Sequence, residues 1–282
     1  MTISMDKVAP MSEGFIFFTF EHYLDAAVRE GLKLIDVYGG APHIWLDGWT
    51  PEFSARIRAQ IADRGLKVCS YTPEQVMYAE NIAAADDALR AASVRYFLRQ
   101  LDVAKELDAP QMLVCSGWGY LDEPVEAAWA RSVASMKQID ARAQDLGIKL
   151  AYEPLQPKET NLVYDLPTAK AMLAELDSPN IGICVDTVCM AVAKESLAQW
   201  FDAFGTLQHL HLNDGETHGH LSGHLTWGDG TLPLDEYIAE LRARDYAGYI
   251  TLEPLNIKYK RNPDAALHQG VEFVRRALEG AA

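Results

Sequence analysis

The stretch KLAYEPLQPKETNLVYDLPTAKAMLAELDSPNIGICVD, residues 149–186, holds one complete repeat of the pattern that decides the fold. It opens on a short apolar run, Lys149 to Tyr152, that closes on Glu153 and Pro154. Pro167 to Leu176 then has helical spacing, and Ile181 to Val185 is a second short β-rich run that closes on Asp186. Strand, helix, strand in this order is the unit of a parallel sheet, whose neighbouring strands need a long crossover.

Outward from this repeat the alternation continues in both directions. Further candidate strands are Phe15 to Phe18, Leu34 to Val37, Lys67 to Ser70, Gln111 to Cys115, Leu207 to Leu212 and Tyr249 to Leu252. Helical stretches lie between them at Tyr23 to Glu30, about 50–64, Asp86 to Leu107, Val125 to Leu146, Ser196 to Phe204, Leu234 to Arg244 and Pro263 to Leu278. Thr50-Pro51-Glu52 reads as an N-cap, a first-turn proline and an acidic first turn, and Gly65 and Gly147 read as stops. Eight strands alternating with eight helices, with no linker or composition break, predict an α/β chain folded as a single (β/α)8 TIM barrel over residues 1–282. An open doubly wound sheet is the alternative. It would carry a phosphate cradle, yet no G-x-G-x-x-G follows the first strand, no G-x-x-x-x-G-K-[ST] occurs anywhere, and Gly39-Gly40 is a lone pair.

Composition excludes several functions. The 282 residues are 49% apolar and 23% charged, which rules out disorder and collagen. A formal charge of −15 repels nucleic acid and anionic membrane surfaces. Cys69, Cys115, Cys184 and Cys189 are scattered without a CxxC pair, so they read as buried reduced thiols. Met1 to Pro10 has no signal-peptide core and no window approaches the roughly 18 apolar residues of a membrane span, so the expectation is a cytoplasmic protein.

A barrel places its chemistry at the C-terminal ends of its strands. There the last four candidates carry Glu153, Asp186, His209-Leu210-His211 and Glu253. An acid at one strand end is commonly the N-cap of the next helix. Four such ends in a row would crowd unpaired carboxylates, which is costly unless a cation neutralises them. Two Glu, one Asp and one His form an oxygen-rich set that suits Mn²⁺, Mg²⁺ or Co²⁺ better than a structural zinc site. Glu-Pro-Leu occurs at both 153–155 and 253–255. The proline keeps each glutamate extended, so each carboxylate points into the mouth from an opposite side.

These motifs resemble the sugar isomerases and epimerases of the xylose isomerase-like barrel superfamily, and within it the ketose 3-epimerases and fructoselysine 3-epimerase. The segments that carry the resemblance are Tyr38-Gly39-Gly40-Ala41-Pro42-His43, Tyr71-Thr72-Pro73-Glu74, Glu153-Pro154-Leu155 with Glu159, Val185-Asp186-Thr187, His209-Leu210-His211, Gly228-Asp229-Gly230 and Glu253-Pro254-Leu255. The resemblance implies that Glu153, Asp186, His211 and Glu253 hold a divalent ion, Mn²⁺ foremost. It implies that Glu153 and Glu253 are the acid/base pair of a C3 epimerisation passing through a cis-enediolate, and that the protein is a homo-oligomer, dimer or tetramer. Glu159, His224, Trp118 and His43 are the expected sugar contacts. Two departures bear on the sugar: Cys189 stands where ketose 3-epimerases carry a substrate histidine, and His224 where they carry an arginine, as in the fructoselysine branch. Tyr38, Trp45 and Trp227 offer further stacking faces and fit core packing equally well, and His218 and His220 read as a solvated loop. The rival readings are an aldose–ketose isomerase, an inosose-type dehydratase, a metal-dependent nuclease resembling endonuclease IV, which the acidic charge disfavours, and a non-catalytic sugar-binding barrel.

Overall fold

The computed structural model describes residues 3–76, 80–216 and 222–280. Eight strands form one sheet in the order β1-β8-β7-β6-β5-β4-β3-β2, every pair parallel. They are β1 (Val8–Pro10), β2 (Leu34–Gly39), β3 (Lys67–Pro73), β4 (Gln111–Val114), β5 (Lys149–Tyr152), β6 (Ile181–Asp186), β7 (His209–His211) and β8 (Tyr249–Leu252). A bridge between Met11 and Asp36 joins the β1 and β2 sides, so the sheet is a nearly closed barrel, as the alternation predicts. No helix among the described residues is long and apolar enough to cross a membrane.

The helices form where local chemistry starts and stops them. In α1 (Phe20–Arg29) the Thr19 hydroxyl accepts from His22 N–H, and in α2 (Pro51–Ala62) Thr50 caps Phe53 N–H with proline in the first turn. Asp86 caps α3 (Asp87–Glu106), and α4 (Val125–Leu146) stops at Gly147, whose φ of 69° is left-handed. Asp165 and Thr168 close a capping box on α5 (Leu166–Leu176). A short helix α6 (Thr187–Val192), absent from the sequence expectation, follows β6 directly; α7 (Leu197–Phe204), α8 (Leu234–Ala243) and α9 (Pro263–Glu279) complete the ring. Apolar side chains between ring and barrel, among them Tyr23, Leu101, Met112 and Val271, are fully buried.

The first strand corrects the sequence reading. Phe15 to Phe18 is no strand: Ser12–Phe15 is a 3₁₀ turn, and β1 is Val8–Pro10, registered Val8 to Ile250 and Pro10 to Leu252. The aromatic run packs a loop instead. Phe15 is buried against the Tyr23 ring at 5.4 Å, while Phe17 is 60% exposed. Pro10 has no N–H to give a ladder, and it sits on the seam strand, which the Met11–Asp36 bridge links onward to β2.

Candidate active site

Four consecutive strands deliver the predicted quartet to one point. Glu153 follows β5, with its N–H still bonded to Val114 O at 2.9 Å; Asp186 ends β6, His211 ends β7 and Glu253 follows β8. All four are buried, at 6, 2, 1 and 7% exposure. His211 Nδ1 lies 2.9 Å from Glu153 Oε1 and 3.3 Å from Glu253 Oε2. Neither ring nitrogen of His211 makes a hydrogen bond in acceptable geometry. One donor atom each from Asp186, His211 and Glu253 falls within 4.8 Å of the others. Carboxylate oxygens that crowd an imidazole nitrogen outside hydrogen-bond geometry are also an arrangement in which donors can share a cation. This donor set fits a divalent cation held by Glu153, Asp186, His211 and Glu253, oxygen-rich with one nitrogen.

Asp186 answers to both readings of a strand-end acid. Its Oδ1 caps α6, accepting from Val188 N–H at 2.7 Å and Cys189 N–H at 2.8 Å, while Oδ2 accepts from Asn213 Nδ2 at 2.9 Å. Asn213 also reaches Glu253 Oε2 at 3.4 Å and takes the Glu253 N–H on its Oδ1 at 2.7 Å. It therefore sets the relative pose of two of the carboxylates. Nothing in the sequence singled it out beyond its place two residues after His211.

The electrostatics show what the cluster does without a cation. Burial pushes the Glu153 carboxyl up to about 7, with His211 opposing and Glu253 and Asp186 adding to the rise. Burial also works against Asp186, yet His224 and His211 hold its carboxyl well below the usual range. The His224 imidazole, despite burial, is pushed up to about 10 by Asp186 and Glu253. His211 also rises against its burial, under Cys184, Glu153 and Glu253. The histidines are the favourable charges beside these buried acids.

A cavity of about 520 Å³ opens onto the cluster through Glu153 and Glu253. Of the expected sugar contacts, Glu159 and His224 line it. Glu159 Oε2 accepts from Gln156 N–H at 3.0 Å, and His224 Nε2 stands 3.6 Å from Asp186 Oδ1. Trp118 and His43 are not among its lining residues. His43 Nε2 pairs with Phe18 O at 2.8 Å against the Phe20 ring, and the Trp118 backbone is tied to the Asn81 side chain at 2.8 and 3.2 Å. Tyr38 lines the cavity, Trp45 is 56% exposed, and Trp227 is core, its indole N–H bonded to Leu212 O. His218 and His220 lie outside the described residues.

Two further acids line the wall, Glu13 and Glu74. Burial pushes the Glu13 carboxyl up to about 8, with Glu253 adding and His224 opposing, and burial also raises Glu74. Glu74 stood inside a quoted motif without a role. Glu13 was hidden by the misplaced first strand: once β1 ends at Pro10, residue 13 belongs to the first loop of the mouth.

Comparison with known proteins completes the picture. The family model described as xylose isomerase-like TIM barrel matches residues 24–277. Fructoselysine 3-epimerase of Escherichia coli O157:H7 is 30% identical over 260 residues, 92% of this chain and 93% of that protein. D-psicose 3-epimerase of Agrobacterium fabrum is 26% identical over 258 residues, 86% of this chain and 85% of that protein. Among solved structures, D-psicose 3-epimerase from Clostridium cellulolyticum H10, with D-tagatose, shares the fold at a TM-score of 0.80 and 17% identity, covering 96% of this chain and 99% of that one.

Proposed function

The chain belongs to the xylose isomerase-like TIM-barrel family, and on that premise we propose that it is a divalent-metal-dependent epimerase that inverts C3 of a ketose or fructosamine. The two relatives named above are epimerases, and the chain is an enzyme of the isomerase class. The observation that carries the reading is the orphaned imidazole of His211 between the oxygens of Glu153 and Glu253, two acids that line a sugar-sized cavity.

A divalent ion held by Glu153, Asp186, His211 and Glu253, with Mn²⁺ the expected species, would stabilise the negative charge that develops on the substrate's carbonyl and hydroxyl oxygens. The chain's own residues do the rest. One of Glu153 and Glu253 accepts the proton from C3, and the other returns a proton to the opposite face of the planar carbon. The two carboxylates come from strands separated by β6 and β7, so they reach the same carbon from different sides. Glu159 and His224 line the same cavity and would hold sugar hydroxyls, and Asn213 keeps Asp186 and Glu253 in register. His224 in place of an arginine, together with the extent of the match to fructoselysine 3-epimerase, favours a fructosamine over a free ketose.

The test is NMR of the Mn²⁺-loaded enzyme with a panel of ketoses and fructosamines in D₂O. The expected outcome is deuterium at C3 with a new epimer. Exchange at C1 would instead make the protein an aldose–ketose isomerase. Absence of exchange with every compound would leave a dehydratase or a sugar-binding barrel.

A further inference from the structure

The sulfur atoms near the mouth are not accounted for by the chemistry above. Cys189 is 6% exposed and lines the cavity, as does His224. One donor atom each from Asp186, Cys189 and His224 lies within 4.8 Å of the other two. His224 Nε2 is unpartnered, 3.6 Å from Asp186 Oδ1. We propose that Asp186, Cys189 and His224 form a second cation site beside the first, selective for a thiophilic divalent ion of the Zn²⁺ class and sharing Asp186 with the oxygen-rich quartet.

The chemistry separates the two sites. One sulfur, one imidazole nitrogen and one carboxylate oxygen, with a fourth position open to the cavity, are the ligands of a borderline-soft ion. The quartet of Glu153, Asp186, His211 and Glu253 offers oxygen and a single nitrogen, which harder ions prefer. On Asp186, Oδ1 accepts from Val188 and Cys189 N–H and Oδ2 from Asn213, so an ion at this second site takes Oδ1 in place of one of the two helix-capping bonds while Oδ2 stays with the first. As the sulfur binds the cation, its S–H bond breaks and the proton leaves to water through the cavity. An ion held there occupies space that a sugar would need, so thiophilic metals would stop substrate from entering while leaving the first site filled. The inference rests on the donors themselves and not on which sugar is epimerised, so the two readings fail separately.

One other thiol competes for the role. Cys184 also lies within 4.8 Å of donors on Glu153 and His211, but it is fully buried and does not line the cavity. The experiment is therefore titration of the Mn²⁺-saturated protein with Cd²⁺, reading the ultraviolet sulfur-to-cadmium charge-transfer band, with manganese followed by electron paramagnetic resonance. The expected result is a band that saturates at one equivalent per chain without release of Mn²⁺. It should vanish in Cys189→Ser, persist in Cys184→Ser, and need at least about tenfold more Cd²⁺ in His224→Asn, which reads the same site if the cysteine variant does not fold. A band that persists in Cys189→Ser, a band lost only in Cys184→Ser, unchanged affinity in His224→Asn, or no band at all would overturn the proposal.

Discussion

Two polar clusters lie inside this barrel, one residue layer apart, and they are built on opposite principles. His209 and Thr251 precede His211 and Glu253 by two positions on the same strands, so they point the same way one layer deeper. There Asp36 is fully buried, yet Thr72 Oγ1 donates to its Oδ1 at 2.9 Å and Thr251 Oγ1 to its Oδ2 at 2.8 Å. His209 Nε2 stands 3.0 Å from Thr251 Oγ1 and 3.5 Å from the carboxylate. Burial raises Asp36, but its bond to His209 and the other donors hold it below the usual range. Donor atoms of Asp36, His209 and His211 lie within 4.8 Å of one another, as do those of Asp186, His211 and Glu253, so proximity alone does not mark a metal site. Partnering does. The deeper carboxylate is answered by hydroxyls of its own chain, whereas the upper histidine has neither nitrogen satisfied.

The largest effect that tests this contrast is chemical. Glu153→Gln and Glu253→Gln should each lower C3 proton exchange by about 10²- to 10⁴-fold, the usual contribution of a positioned acid or base. Neither should cost much metal-free stability, because each removes one acid from a buried cluster of carboxylates that repel one another, with only a long bond of 3.4 Å from the Asn213 amide lost at Glu253. Exchange in D₂O and urea denaturation in chelator measure the two halves. A Gln variant that loses more than about 2 kcal/mol of metal-free stability would show that its carboxylate is structural, like Asp36.

One layer down the sign reverses. Asp36→Ala leaves the Thr72 and Thr251 hydroxyls without their acceptor and His209 without its nearby counter-charge in a dry interior, so it should cost about 3 kcal/mol. Urea denaturation should give the same loss with chelator and with Mn²⁺. A loss that appears only in chelator would mean that Asp36 belongs to the metal site and that the two layers are one.

The same contrast explains what could be read in advance. Strands β5 and β8 were legible to the residue because each is an apolar run ended by Glu-Pro, and the proline forces the strand to continue. β1 was not, because three residues that include a proline carry less β signal than the aromatic run beside them. That run earns its burial in a loop. The convergence of Glu153, Asp186, His211 and Glu253 was legible because they sit at strand ends, where side-chain direction follows from period two. Asn213, Glu13 and Glu74 sit on loops, where direction depends on contacts that only the folded chain supplies. Trp118 and His43 show the reverse failure: both stand after the right strands, but Asn81 and Phe18 O hold them away from the residues that line the cavity.

Glu13 extends the comparison to a third kind of acid, one on the cavity wall with neither hydroxyl partners nor a place in the quartet. Its carboxyl is pushed from an ordinary 4.5 up to about 8, first by burial and then by Glu253, against His224. A folded-state value above the unfolded one means that the native chain binds more protons between these limits, so stability present below pH 4.5 is lost as pH rises through 8. Glu13→Gln removes that loss. In metal-free protein the variant should therefore gain on the wild type by at least about 1 kcal/mol between pH 5 and pH 8, measured by urea midpoints. Parallel curves would show that Glu13 ionises like a surface acid and that the cavity wall is wetter than its burial implies. A divalent ion beside Glu253 would favour the charged form of Glu13 and shrink the gain. Repeating the series with Mn²⁺ thus asks whether the cation neutralises the acidic cavity as a whole or only the quartet.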